Sequence, residues 1–437
     1  MIRHSSFGWN FSCMLLPLGC LFFSLSTFAN AAPLKIPNRI FNIQSYGAKP
    51  DGKTDDTDAF RNAMQACEKA GGGTIEVPNG RYLTGPIDLQ SHTNLHLSSG
   101  ATILFTDREE AYALPNGGYH PLLLARNGSA IAITGKGTMD GQGAPWWKAF
   151  LEAKKRGEIM RRPSMVVFDH CNHILVQGVT LLNSPNIHLN PEYCTDLRVD
   201  GVIIRAPMNS PNTDGIDPTH CKDVSITRCT IDTGDDCIAI GSGMDHSRKP
   251  FGPCKHIRIS DCVFLHGHGL SIGSFTESGV RNVVVENCIF DGTDNGIRLK
   301  SERGRGGVVE NLTYRNITMK NVKRVIDIMS YYPHSPKFGQ LDPPQPVTAS
   351  TPVWRDITIR NLRATNCQEV GIIVGLPEEP VARLVLRHVF ISAEKGLRIS
   401  YAKHIRLIDT TILTAPNTKP IRMEAVTNFK QAGKLKS

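Results

Sequence analysis

Beyond Phe28 this 437-residue chain has no apolar stretch long enough to span a bilayer, which argues against an integral helical membrane protein. It has no arginine-rich run and no nucleic-acid-binding motif, so its formal charge of +9 does not read as a nucleic-acid footprint. Helical stripes are scarce too. Val, Ile and Leu fall in short runs among frequent glycines, a pattern that favours β-structure with many turns. Aromatic residues are a modest 7%, yet apolar residues reach 40%, enough for a substantial core.

What is present begins with a leader. Arg3 gives a positive start, an apolar stretch runs from Met14 to Phe28, and Ala29-Asn30-Ala31 supplies a small-x-small cleavage pattern. Pro17 and Ser24 interrupt the stretch, so a signal peptide fits better than an anchor, and Cys20 is only a faint lipid-attachment signal. Cleavage after Ala31 is expected, leaving residues 32–437 as one exported chain, extracellular or periplasmic. Arg3 is the only charged residue lost, so the mature chain carries +8, spread along its length. That balance suits an anionic partner such as an acidic polysaccharide. Of the 12 cysteines, Cys13 and Cys20 leave with the leader. The other ten are open to oxidation after export, but buried free thiols are equally compatible with their positions.

A repeated phrase organises the rest. Apolar residues alternate in Val224–Ile231, Ile257–Phe264 and Val283–Phe290, and looser copies begin at Ile131, Ile174, Leu197, Leu312, Ile357, Leu384 and Ile405. Period-two alternation predicts strands, and units this short must stack to bury a core. The architecture that follows is all-β: a right-handed parallel β-helix, rather than a β-sandwich. One helix is expected, from about Thr57 to Ala70. Asp55, Asp56 or Thr57 can cap it, Phe60, Ala63, Met64 and Cys67 form its apolar stripe, and Gly71-Gly72-Gly73 stops it. It would plug the N-terminal end of the solenoid. The Pro-rich stretch Pro333 to Pro352 reads as a loop.

Stacking the coils sorts the polar residues into columns. Asp214-Gly-Ile-Asp217 lies over Asp236-Cys-Ile-Ala239, His268-Gly-Leu-Ser271 and Asn295-Gly-Ile-Arg298, with the third position apolar every time. The first column then reads Asp214, Asp236, His268, Asn295, with Asp235 beside Asp236 and neighbouring strands about 4.8 Å apart. Glycoside hydrolysis needs one carboxylic acid to protonate the leaving oxygen and a carboxylate to activate water. Crowding carboxylates raises at least one pKa and so supplies such an acid near neutral pH. Arg298 and Lys300 flank an inward Leu299 and would point outward, where they could grip a substrate carboxylate. Singly, each of these residues has a bland reading as a turn residue, a stacked histidine, a solvated charge or a calcium ligand.

The chain resembles the polygalacturonases and related pectin hydrolases of glycoside hydrolase family 28. The likeness rests on Asn212-Thr213-Asp214, Gly234-Asp235-Asp236, Gly267-His268-Gly269 and Arg298-Leu299-Lys300, in that order. Supporting phrases are Tyr46–Asp56, Gly80–Pro86, Asp140–Gly143 with Trp146-Trp147, and Asn183–Pro185. The resemblance implies an inverting mechanism without metal or cofactor. In it Asp235 is the general acid, Asp214 and Asp236 position and deprotonate water, and His268 hydrogen-bonds within the cluster. Arg298, Lys300 and Tyr332 would bind the sugar, although Tyr331 is adjacent. Leu299 replaces the commoner isoleucine, Phe275 stands where many bacterial members carry Glu, and Gly241 where many carry Lys. The expected partner is polygalacturonate or pectin, neither nucleic acid nor membrane, and the expected state a monomer. Endo-action is favoured over exo-action. The rivals are a calcium-dependent pectate lyase, a rhamnogalacturonan or xylogalacturonan hydrolase, and a non-catalytic carbohydrate-binding solenoid.

Overall fold

A computed structural model describes residues 34–243, 252–340 and 342–432; the leader lies outside them. The chain is a right-handed parallel β-helix, as its repeats predict. All ten copies of the repeated phrase fall into one parallel ladder. Ile131, Ile174, Leu197, Val224, Ile257, Val283, Leu312, Ile357 and Leu384 pair in succession, and the Val385–Arg406 pair brings Ile405 beneath Leu384. The ladder also extends upstream of the first recognised copy, through Thr93–Leu97, Gly73–Val77 and Ile40–Asn42. Alternate residues point inward, and those apolar rows merge into a single continuous core.

The N-terminal helix, α1, spans Thr57–Lys69 and buries Ala59, Phe60, Ala63, Met64 and Cys67. It packs on Ile40–Asn42, Gly73–Val77 and Ile87–Leu89, covering the first coils. Of its three candidate caps, Asp56 occupies the N-cap position without a side-chain cap bond, and Asp55, one residue earlier, accepts from the Thr57 N–H at 3.1 Å. Asp56 is buried and accepts from the Lys49 N–H at 2.8 Å instead. A second helix, α2, at Ala144–Lys155, was not expected from the sequence. It carries Pro145 in its first turn, buries Trp146 and Trp147, and ties itself to the solenoid through Trp147 Nε1 donating to the Ser184 carbonyl at 3.0 Å.

The ten cysteines are all buried and free. Register explains their placement. Cys171, Cys194, Cys221 and Cys254 each immediately precede aligned strand residues, and Cys229, Cys262 and Cys288 form a second stack. In these inward rows a thiol behaves as a small apolar filler. Among the described residues no helix is long and apolar enough to cross a membrane.

Candidate active site

The site lies on the outer side of a second parallel ladder of the solenoid. Ile216, Ile238, Leu270 and Ile297 stack coil on coil with no solvent exposure. That register places Asp214, Asp236, His268 and Asn295, each two residues earlier, in the row read from the sequence. Main-chain bonds hold the row together: Gly215 N–H to the Asp236 carbonyl at 2.9 Å, and His268 N–H to the Asp235 carbonyl at 2.8 Å. The glycines either side of His268 have a steric reason. Both have positive φ, and an added Cβ would sit 2.2 Å from the Asp235 carbonyl oxygen at Gly267 and 1.9 Å from the Asn295 carbonyl oxygen at Gly269.

Asp236 is almost fully enclosed, only 2% exposed. Its Oδ1 accepts from Ser271 Oγ at 2.7 Å and Arg298 Nη1 at 3.1 Å, and its Oδ2 accepts from Lys300 Nζ at 2.6 Å. Arg298 and Lys300 thus project outward as expected, but they are engaged with the acid cluster instead of standing free beside it. Arg298 Nε is buried, makes no hydrogen bond and lies 4.0 Å from Asp327 Oδ2, so the donor capacity left to Arg298 is on its Nη atoms. Tyr332 completes this side. Its ring centroid lies 5.4 Å from Lys300 Nζ and 5.7 Å from the Arg298 guanidinium, within cation–π range. Tyr331 turns away to Asp342, hydroxyl to Oδ2 at 2.6 Å, so Tyr332 is the tyrosine at the site.

The other two aspartates have opposite electrostatics. Burial, then the neighbouring charges of Asp235 and Asp236, push the Asp214 carboxyl well above the usual range. Asp235 is half-buried, which opposes its charge, but the His268 hydrogen bond and charge outweigh burial and hold its carboxyl below the usual value. His268 Nδ1 sits 3.0 Å from Asp235 Oδ1, and its Nε2 is 3.5 Å from Asp294. The same hydrogen bond raises the imidazole pKa against the effect of burial. Proton affinity therefore concentrates at Asp214 on one side and in the His268–Asp235 pair on the other. Asp217, facing the same strip, is also raised by burial and its acidic neighbours, and its Oδ1 is buried without a partner.

Three further contributors gain no role from the sequence, although Asn212 and Ser271 lie within the motif and aligned phrases and only Arg162 lies outside them. Ser271 stabilises Asp236 from the fourth position of its coil. Asn212 Nδ2 reaches Asp235 Oδ2 at 3.4 Å. Arg162 donates to the Pro185 and Pro211 carbonyls at 2.8 and 2.7 Å and to Asn212 Oδ1 at 2.8 Å, with its guanidinium 3.9 Å from the Phe150 ring centre. Occupying Asn212 Oδ1 turns the amide nitrogen toward Asp235. One ligand atom each from Asp235, Asp236 and His268 lies within 4.8 Å of the others, close enough to invite a cation. Two protein cations already neutralise Asp236, which suits the cluster to a water and a sugar better than to a calcium ion.

Comparison with known proteins gives a consistent result. The model for glycosyl hydrolases family 28 matches residues 67–393. A probable polygalacturonase of Vitis vinifera is 32% identical over 370 residues, covering 80% of this chain and 74% of its own. An exopolygalacturonase of Zea mays is 33% identical over 348 residues, covering 77% and 79%. Among solved structures, a hyperthermoactive exopolygalacturonase from Thermotoga maritima superposes with a TM-score of 0.75 at 31% identity, covering 86% of this chain and 92% of that one.

Proposed function

The chain belongs to glycosyl hydrolases family 28 and is a hydrolase of the polygalacturonase kind, and from that premise we propose that it cuts the α-1,4-galacturonan backbone of pectin with inversion at the anomeric carbon. The observation that carries the mechanism is geometric: Asp214, Asp235 and Asp236 meet on successive coils, with His268 Nδ1 3.0 Å from Asp235 Oδ1 and the cations Arg298 and Lys300 on Asp236. Asp235 gives a proton to the glycosidic oxygen as the C–O bond breaks, and His268, hydrogen-bonded behind it, keeps that pair supplied with one. Asp214, once ionised, takes a proton from a water held between it and Asp236, and the resulting hydroxyl bonds to the anomeric carbon. Charges balance: one proton goes to the leaving oxygen and one returns from water. Arg298 spends its remaining donors on the sugar's carboxylate, with Lys300 behind it and Tyr332 under the ring. Replacing Asp235 by Asn tests this: reducing-end release from polygalacturonate is expected to fall by roughly 10²–10⁴-fold with an unchanged circular dichroism spectrum. Near-full activity in that variant would falsify the acid assignment.

Endo-action is the reading we favour, because the outer face continues upstream of the acids into an open hollow where a polymer can extend. One observation favours the exo reading. The loop 333–352 is fastened across the same face downstream, with the Gly339 N–H on Glu424 at 2.6 Å and Phe338 against Arg398 and Arg422. Early products decide between them: mixed oligomers for endo, only mono- or disaccharide for exo. Export follows from the leader, and the secreted protein is expected to begin at Ala32 and to elute as a monomer.

A further inference from the structure

The ladder from Ile131 to Ile405 has an outer face of its own, apart from the ladder that carries the acids, and its charge changes along the stack. Midway, carboxylates answer the arginines. Glu286 accepts from Arg258 Nε at 2.7 Å and Arg315 Nε at 2.5 Å, and Glu310 lies 3.2 Å from Arg281 Nε and accepts from Arg355 Nε at 2.8 Å. The last coils depart from that pattern. Ile357, Ile359, Leu384, Leu386 and Leu407 fill the core, so Arg360, Arg387 and Arg406 point outward, with Lys430 one coil further on.

Arg360 stands in register with Arg387, and Arg406 with Lys430, each pair one strand step of about 4.8 Å apart. Val385, the residue opposite Arg406, lies between the two pairs. Like charges so placed repel. Among the described residues none of these four side chains has an ion pair or a hydrogen bond. The acids of these coils are few. Asp356 is held by Arg383 through Nε at 2.5 Å and Nη2 at 2.7 Å, and Asp409, at the corner, lies 3.4 Å from His388. Elsewhere on the face a carboxylate of the chain cancels the repulsion; here an external anion has to.

The surface sets the form of that anion. Its cations span three strand steps, ~14 Å, so one small ion does not answer them, whereas a polymer charged on every unit does. Arginine forks match carboxylates two bonds at a time. No Phe, Tyr or Trp and no large apolar side chain is exposed on this face, which leaves nothing to stack on bases or to enter a lipid surface. We propose that this face is a second, non-catalytic binding surface for a polyuronate chain, which holds the polymer on the protein while the acids cut elsewhere along it. The choice of polymer rests on the polygalacturonase reading; the charge of the face does not.

The test uses the intact chain carrying Asp235→Asn, its site filled with saturating digalacturonate, and measures retention on cross-linked polygalacturonate at low salt. Retention is expected to weaken about tenfold when Arg360→Gln, Arg387→Gln, Arg406→Gln and Lys430→Gln are combined. Val385→Glu sets a carboxylate between Arg387 and Arg406 without removing either, so it should act in the same direction even if the fourfold variant does not fold. With Asp235 restored, both variants should keep kcat/KM on a short oligogalacturonide within about twofold and lose several-fold on the polygalacturonate gel. Unchanged retention in folded variants, equal retention on fully methyl-esterified pectin, or tighter binding to phosphatidylglycerol vesicles than to polygalacturonate overturns the proposal. Failure of the underlying reading looks different: the unaltered chain then releases no reducing ends from dissolved polygalacturonate, whether or not the face holds it.

Discussion

The inner and outer faces of the catalytic strip share one backbone register and do opposite work. Inward, Ile216, Ile238, Leu270 and Ile297 repeat the same aliphatic solution in every coil. Two residues earlier the row carries Asp214, Asp236, His268 and Asn295, and one residue later the outward positions read Asp217, Ala239, Ser271 and Arg298. The inner row gains from sameness, because each side chain packs on its copy above and below. The outer row would lose from it, since identical charges one strand apart repel. Its variation of carboxylates, imidazole and the Arg298–Lys300 pair is what lets a crowded row remain folded and titrate in two directions. The ladder supplies position, and the sequence of each coil supplies chemistry.

The sharpest way to break that division is to exchange the two rows' expected consequences. Asp235→Asn, outward, should remove catalysis while leaving stability nearly intact. Ile238→Ala, inward and only two residues from Asp236, should do the reverse. Truncating a buried isoleucine to alanine costs about 2–5 kcal/mol, readable as a lowered urea midpoint, while kcat per folded molecule stays near wild type. If instead Ile238→Ala loses activity at temperatures where it is fully folded, the inner row is setting the acids' geometry and the faces are not separable.

The next effect is on pH. Asp214 must be ionised to take a proton from water, and its raised pKa means that activity climbs with pH above the ordinary carboxylate value of about 4. The His268–Asp235 pair must hold a proton, and His268 is raised, so activity falls only as pH passes above the ordinary imidazole value of about 6.5. The profile of kcat/KM should be a bell with both limbs displaced upward. His268→Gln should move the alkaline limb down, because Asp235 then has no protonated partner, and leave the acid limb in place. An alkaline limb that stays put in that variant would assign it to another group.

How much of this was written in the residues depends on whether a feature repeats. The ladder from Ile131 to Ile405 and the row of acids were legible because each coil restates the phrase, and aligning aliphatic positions aligns the polar ones automatically. The first coils were not, since α1 is inserted between Ile40–Asn42 and Gly73–Val77 and breaks the succession of strands. The helix α2 escaped notice because Trp146 and Trp147 are its only large buried side chains, too few for a stripe. Partners across coils were harder still. Period-two alternation says that Arg298 and Lys300 point outward, but not that both bend onto Asp236 more than sixty residues earlier in the chain. Arg162 lies between α2 and the next strand and reaches Asn212 from a segment with no period at all. It could be found only by folding the chain.

Tyr332 gives the smallest expected effect and tests the edge of the comparison, because it belongs to neither row. It follows the strand Arg324–Met329 and is held by its N–H on the Ser301 carbonyl at 2.9 Å, so its ring lies beside Arg298 and Lys300 without bonding either. A ring that steadies Arg298, Lys300 and also Arg305, whose guanidinium lies 5.5 Å from its centroid, is worth about 1 kcal/mol, roughly a five-fold change in binding. Tyr332→Phe keeps the face and should leave KM for polygalacturonate within a factor of about two, since only the hydroxyl is lost. Tyr332→Ala removes the face and should raise KM about five-fold with little change in kcat. Equal losses in both variants would mean that the hydroxyl, by bonding the sugar directly, does what is here ascribed to the ring.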